Sequence, residues 1–479
     1  MKLIREDASE PLLEEFERCL QAGGPALFRP GEPVTVARAP ARIDCMGGIA
    51  DYSGSVVFEG PLRRAAVVAF QPRSDGLLVV HSVTLAQAGL PSTAEATLDE
   101  LRRDGRSAAY EQTRQLLTRV ARDAWAAYVI GVVAVLEREG VCRFEHGGSF
   151  LLWSDVPIGV GVSSSAAVEV AAMHAVNCRL GLGLSSARLA ALCQVVENKV
   201  VGAPCGIMDQ VTSACGESGK LLALRCQPCD LLGQHELPPG VRVFGLSSRV
   251  EHRVGGSAYA TARVAAFMGL KIILGAMAQR GRAPTAADQY LCNLTPREYV
   301  SEFRALLPER ITGAEFLRTH GNTTDTVTTV APAAVYRVRA GTDHPVFENA
   351  RVAAFIECMD RAHAGDRTAL VEAGGLMYAS HYSYGWNCGL GCAETDLLVS
   401  LVQRRGPAQG LYGAKITGGG SGGTVAILAD ADAEGAVREV AAEYAAETGL
   451  ESDIFAESGP GAFQFGPRTY RFEGEAGHG

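Results

Sequence analysis

Residues 156–172 read Val-Pro-Ile-Gly-Val-Gly-Val-Ser-Ser-Ser-Ala-Ala-Val-Glu-Val-Ala-Ala, a glycine-punctuated loop between two apolar segments. The run at 150–153 has the composition of a strand, Gly159 and Gly161 mark a bend, and the Ala/Val-rich residues after the serines have the composition of a helix. Strand, glycine loop and helix start together make an anion cradle. Glycine lets the backbone approach a ligand, while unpaired amides and the positive end of the helix dipole attract phosphate oxygens. Ser163, Ser164 and Ser165 add hydroxyls for phosphate or for a phosphate-bound Mg2+. The plain alternative is a serine-capped helix after a glycine turn. No Gly-Lys-Ser/Thr follows, so the spacing is not the P-loop, nor is it the dinucleotide fingerprint.

Three other segments carry residues of the same kind. Upstream, 38–54 reads Arg-Ala-Pro-Ala-Arg-Ile-Asp-Cys-Met-Gly-Gly-Ile-Ala-Asp-Tyr-Ser-Gly, with Arg42, Asp44 and Asp51 set in an otherwise apolar stretch. These charges are either a solvated loop pair or a sugar pocket, because a carboxylate at a loop tip accepts hydroxyl protons from a vicinal diol. Downstream, Pro204-Cys205-Gly206-Ile207-Met208-Asp209-Gln210 places Asp209 after a turn in apolar surroundings, where an unpaired carboxylate is costly. It caps a helix or takes part in chemistry. Glu197 is either an exposed helix residue or a hard oxygen ligand. Tyr259 is an amphipathic-helix tyrosine or a sugar contact. Far downstream, five of the six residues 418–423 are glycine, which excludes the interior of a helix or strand. A linker would not be flanked by an apolar strand (424–428) and a helix (431–446), so a buried turn close to a ligand is expected there.

A chain of 479 residues with 47% hydrophobic and 20% charged content is long enough for two globular domains. The net charge of −9 leaves no basic face for nucleic acid, and no basic run suggests an anionic membrane, so an anionic substrate needs a local positive site. Acidic residues stand where a secretory signal would need an apolar core, and no later segment approaches eighteen uncharged apolar residues. A cytoplasmic protein is expected. Thirteen cysteines, an odd number spread through a large chain, suit reduced thiols. Cys388 and Cys392 have a spacing some zinc sites use, with no second pair nearby. The pattern further predicts helices over 8–22 and 98–123, a strand at 34–37, a core face carrying Trp125 and Tyr128, a domain boundary near 236–246, and little regular structure over 285–345.

The motif Pro-x-Gly-x-Gly-x-Ser-Ser-Ser-Ala-Ala at 157–167 resembles the second signature of the GHMP small-molecule kinases, the superfamily of galactokinase, homoserine kinase and mevalonate kinase. Residues 40–54 resemble the galactokinase sugar-binding signature position by position, 204–210 match Pro-Cys-Gly-Ile-Met-Asp-Gln, and 412–427 resemble the third glycine-rich signature, with Ser421 where galactokinases have phenylalanine. Ser248-Arg249-Val250-Glu251-His252, with Ser257 and Tyr259, resembles the galactokinase pattern Ser-x-Val-x-His-x-x-x-x-Ser-x-Tyr. The resemblance covers about residues 33–466. It implies an α+β, two-domain GHMP kinase fold, with a ribosomal S5 domain 2-like N-terminal domain (1–237), a ferredoxin-like C-terminal domain (238–479) and the active site in the cleft.

The activity so implied is transfer of the ATP γ-phosphoryl group to the anomeric hydroxyl of a monosaccharide, with no obligatory protein partner. Asp209 and Arg42 would carry catalysis. Asp51, Tyr52, Gly48, Ile49, Gly206 and Tyr259 would hold the sugar. Pro157, Gly159, Gly161, Ser163, Ser164, Ser165, Ala166, Gly419 and Gly420 would hold ATP, and Ser165 with Glu197 would hold Mg2+. One departure matters: Gly48-Ile49 stands where galactokinases have Glu-His. L-arabinopyranose is galactose without its hydroxymethyl group, and an isoleucine filling that space would leave a C6 hydroxyl unpartnered, a rejection of about 1–3 kcal/mol. In detail the chain is most similar to the L-arabinokinase branch, of which it resembles the kinase module alone. The alternatives are a galactokinase and a non-catalytic, kinase-derived sugar sensor.

Overall fold

Two long neighbouring strands, Val34–Met46 and Val56–Pro72, lie at the centre of a nine-stranded sheet in the computed structural model, which describes residues 2–5, 11–250 and 257–473. Val34–Met46 is buried along its whole length, as its run of small and β-branched residues allows. Gly148–Ser154, Leu77–Ser82 and Thr93–Thr97 extend the sheet on one side, Arg468–Glu473 and Lys2–Arg5 on the other. Lys220–Arg225 pairs with the start of Val56–Pro72, and Asp230–Glu236 pairs with Lys220–Arg225. The ladder between the two central strands is irregular between Pro40 and Arg42 and again between Asp44 and Met46. Proline gives no N–H to a ladder, and bulges re-aim side chains. Arg42 and Asp44, two residues apart on one face, are the side chains so placed.

The helix Ser164–Leu180 begins just after the glycine loop and lies across both central strands. Ala127–Arg138, Ser186–Val195 and Met208–Cys215 complete its layer. The first helix runs Pro11–Leu27, with Phe16 and Leu20 fully buried; the residues 8–10 of the expected start lie outside the described residues. The helix expected over 98–123 is not one element. Asp104-Gly105 turns with both residues at positive φ (51° and 73°), making a small hairpin of Arg102–Arg103 and Arg106–Ser107, and a helix follows only at Tyr110–Thr118. Asp-Gly is a strong hairpin signal and overrides the helical composition around it.

The chain passes to a second sheet at Val241–Ser247, which pairs with Thr424–Asp430 and Ile454–Phe455, while Leu411–Ile416 forms the far edge. With Val338–His363, Thr368–Ser383, Ala393–Arg405 and Glu434–Thr448 it makes the ferredoxin-like half of an α+β fold. The last strand then leaves it. Arg468–Glu473 pairs with Val34–Met46, so the end of the span expected as the C-terminal domain belongs to the first sheet. The stretch over 285–345, expected to hold little regular structure, contains the helix Gly313–His320 and the start of the helix Val338–His363 among short turns, and its Tyr299, Phe303, Phe316 and Tyr336 form a core with the helix Ser257–Gln279. That helix is long and apolar enough, by length and composition alone, to cross a membrane. It packs against Val338–His363, and its buried Arg263 is paired with Asp325 at 2.8 Å.

Candidate active site

Three segments hundreds of residues apart meet where the two halves touch. The Arg42 N–H donates to Val162 O at 3.1 Å and Arg42 Nη1 to Gly161 O at 2.8 Å, while Thr424 Oγ1 donates to Val160 O at 2.7 Å. The loop before the helix Ser164–Leu180 is thereby held from both sides. A Cβ on Gly161, whose φ is +75°, would lie 3.3 Å from Gly423 Cα, so the two glycine segments pack backbone to backbone. The resulting cleft of about 260 Å³ is on the scale of a small-molecule site.

Asp209 stands at its floor. Arg42 Nε donates to Asp209 Oδ1 at 2.8 Å and Ser163 Oγ donates to Oδ2. Ser163 sits at φ +61°, ψ +52°, a left-handed conformation that costs a serine about 1–3 kcal/mol and points its hydroxyl at the carboxylate. The cap of the helix Met208–Cys215 is Ile207, so Asp209 does not serve as its N-cap. The side chain of Asp209 is 20% exposed against 3% for Arg42 and 0% for Glu59, so Asp209 is the member of the trio that meets the cleft. Burial weakens the hold of Arg42 on its proton, and the carboxylates of Asp209 and Glu59 more than reverse this, keeping it a fixed cation. Glu59, 3.5 Å from Arg42 Nε and accepting from Thr212 Oγ1 at 2.6 Å, was not singled out by its sequence context. Burial pushes its carboxyl well up.

At one end of the cleft lie Ile49, Asp51, Gly206 and Tyr259. Burial, with Asp209 nearby, pushes the Asp51 carboxyl up to about 7, Arg263 working against the shift. Gly206 is required where it stands, because a Cβ there would lie 1.7 Å from Asp51 Oδ2. Two residues expected in the sugar pocket are not in its wall. Tyr52 stands behind it, edge-on to Tyr259 with ring centroids 6.1 Å apart. Gly48 is covered by Tyr384, whose hydroxyl would lie 1.8 Å from a Cβ at that position.

At the other end Gly159, Gly161, Ser163, Ser164, Ser165 and Gly419 line the cleft, whereas Pro157, Ala166 and Gly420 stand outside its wall. Pro157 and Ala166 frame the loop, and Gly420 packs against Leu390 and Tyr384. Glu197 is only 3% exposed, so it is not a solvated helix residue. It lies in the π-helical turn Val196–Val201, hydrogen-bonded to Ser165 and accepting from Gln210 Nε2 at 2.6 Å. Burial and then Asp209 push its carboxyl up to about 7, with Ser165, Cys205 and Gln210 holding it down. Glu169, fully buried on the facing helix, is pushed well up by burial and by Glu197. Tyr128, expected as core, lines the cleft, as do Ile158, Ala203, Cys205 and Met208. Glu251 and His252 lie outside the described residues.

Residues 127–217 match the family model described as GHMP kinases N terminal domain, and 367–446 match GHMP kinases C terminal, the class of protein this fold and cleft define. Among curated proteins the chain is 40% identical to L-arabinokinase of Arabidopsis thaliana over 93% of its own length, and spans about half the length of that relative (47%). It is 33% identical to a galactokinase of Chloroflexus aggregans, covering 87% of this chain and 90% of that one, and 30% identical to one of Streptomyces coelicolor (90% and 94%). The chain belongs to the galactokinase-like branch of the GHMP kinase family. The crystal structure of Lactococcus lactis galactokinase complexed with galactose shares its fold, with a TM-score of 0.73, 20% identity, and coverage of 94% of this chain and 98% of that one.

Proposed function

We propose that the protein is an ATP-dependent sugar 1-kinase whose acceptor is L-arabinose, the product being L-arabinose 1-phosphate. The observation that carries this is Asp209, bound by Arg42 and Ser163 between a buried carboxylate at one end of the cleft and a serine-lined helix start at the other. Triphosphate oxygens lie against the amides and hydroxyls of 161–165. Asp51 accepts hydroxyl protons of the sugar beside Gly206 and Tyr259. Asp209 takes the proton of the anomeric hydroxyl as that oxygen bonds to the γ-phosphorus, the bond from phosphorus to the β-bridging oxygen breaks, and ADP leaves. Arg42 offsets charge developing on the transferred group.

The donor set fits Mg2+. The Ser165 hydroxyl and the Glu197 carboxylate are adjacent hard oxygens, and the raised proton affinity of Glu197 is what a cation would reverse. When bound, Mg2+ would neutralise phosphate charge there. L-arabinose is favoured by the apolar Ile49 in the wall and by the relative at 40% identity. All thirteen cysteines are unpaired, which supports action in the reducing cytoplasm.

The deciding test is a panel of pentoses and hexoses with ATP and Mg2+, with the phosphorylated carbon located by NMR. L-arabinose phosphorylated at C1 with the highest kcat/KM is expected. D-galactose ranking first would make the protein a galactokinase, and no sugar-dependent ADP release would leave a binding protein only.

Two results follow from the sugar end. Because the folded pKa of Asp51 is raised, its charge is lost as pH falls through about 7. Without nucleotide or metal, the Kd for L-arabinose is expected to rise about tenfold from pH 8 to pH 6, and calorimetry on Asp51→Asn should show the dependence gone. Gly206→Ala forces Asp51 aside, and a displacement of this size costs on the order of 10²-fold in kcat/KM for the sugar. Unchanged sugar kinetics in that variant would show that Asp51 does not contact the acceptor.

A further inference from the structure

The hydroxyl of Tyr384 joins two segments that otherwise serve opposite ends of the cleft. It accepts the Ile49 N–H at 2.7 Å and donates to the Gly418 carbonyl at 3.0 Å, and the side chain is fully buried. Ile49 lines the end that holds Asp51. Gly418 precedes Gly419 in the wall of the other end, and a Cβ on Gly418 would lie 2.8 Å from Arg42 Nη2. The ring is packed on several sides. Lys415 Nζ lies 5.2 Å from its centroid, His344 meets it edge-on at 5.2 Å, and Gly48 leaves only the space of a hydrogen beside the oxygen. A hydroxyl has a single proton to donate, so this oxygen gives it to the glycine turn while its lone pair holds the sugar loop.

We propose that Tyr384 is a positioning residue that couples the two substrate sites. A sugar that settles Ile49 also settles the Gly418 turn through one oxygen atom, and a nucleotide that settles the turn settles the sugar loop in return. This rests on the kinase reading above and adds to it a residue that touches neither substrate. Such coupling is reciprocal: the factor by which nucleotide tightens sugar binding equals the factor by which sugar tightens nucleotide binding.

The test is calorimetric. The Kd of L-arabinose is measured with and without saturating Mg2+ and AMP-PNP for the wild type, Tyr384→Phe and Tyr470→Phe. Tyr470 is another fully buried tyrosine, bonded to Glu17 at 2.8 Å and outside the cleft, so its variant reports what loss of a buried hydroxyl does by itself. The wild-type ratio is expected within the usual range of about 5- to 150-fold. It should persist in Tyr470→Phe and fall to near unity in Tyr384→Phe. Equal ratios in the wild type and Tyr384→Phe, or a wild-type ratio of one, overturn the coupling while leaving the kinase reading in place. A wild type that binds neither sugar nor AMP-PNP removes the kinase reading and the coupling with it. If Tyr384→Phe does not fold, the wild type alone decides: AMP-PNP should slow amide hydrogen exchange over 47–53 severalfold, and unchanged exchange there overturns the proposal.

Discussion

Asp209→Asn is expected to lower turnover by about 10²–10⁴-fold with the fold and sugar binding retained, the span that a positioned general base contributes. Asparagine keeps the size of the side chain and a carbonyl oxygen to accept from Arg42 Nε, which now lies 2.8 Å from Oδ1. It cannot take a proton. Removing the Asp209 charge also removes one of the causes that push the Glu59 carboxyl up, so Glu59, 3.5 Å from Arg42 Nε, takes over as its counter-charge, and the loss should appear in kcat with little change in the denaturation midpoint. Steady-state kinetics with calorimetric sugar binding on the same preparation separates the two effects. Near-normal turnover would mean that the acceptor hydroxyl loses its proton to some other group.

The largest effect on stability is expected at Lys415. Its ammonium lies 2.5 Å from Asp44 Oδ2 and both side chains are wholly buried. Asp44 also takes the Gly48 N–H on Oδ1 at 3.1 Å, and its own N–H donates to Thr417 Oγ1 at 2.7 Å, so the pair ties the first motif to the third. Lys415→Met leaves a buried carboxylate without its cation, a change that costs about 3–5 kcal/mol in comparable pairs. Urea unfolding should register that loss, and adding Asp44→Asn should recover part of it, since the penalty arises from the unpaired charge. A single variant as stable as the wild type would show that water reaches Asp44.

The three glycine-bearing segments could be read from the sequence because glycine marks where a backbone must bend or be approached, as at Gly161 against Gly423. Asp209 could be read because a carboxylate in an apolar run demands a partner. What escaped are the contacts that join distant segments. Nothing near Tyr384 tells that its hydroxyl meets a backbone amide 335 residues away. Glu59 sits in the apolar first part of its strand (56–62), and only the register that sets it opposite Asp44 brings it to Arg42. Tyr128 follows Trp125 at helical spacing, a pattern that reads as packing whichever way the ring turns. In the sequence Gly48 stands out for the side chain it lacks, whereas what matters is the tyrosine that occupies its space.

The path of the final strand has a consequence for dividing the molecule. Because Arg468–Glu473 returns to pair with Val34–Met46, the ferredoxin-like half is an insertion whose entry and exit are both anchored in the same sheet. Cutting the chain near residue 238 would therefore yield an amino-terminal fragment with a bare, sticky β-edge along Val34–Val36 in place of a self-sufficient unit. The same double tether favours sliding of one lobe over the other above wide hinge opening when substrates enter.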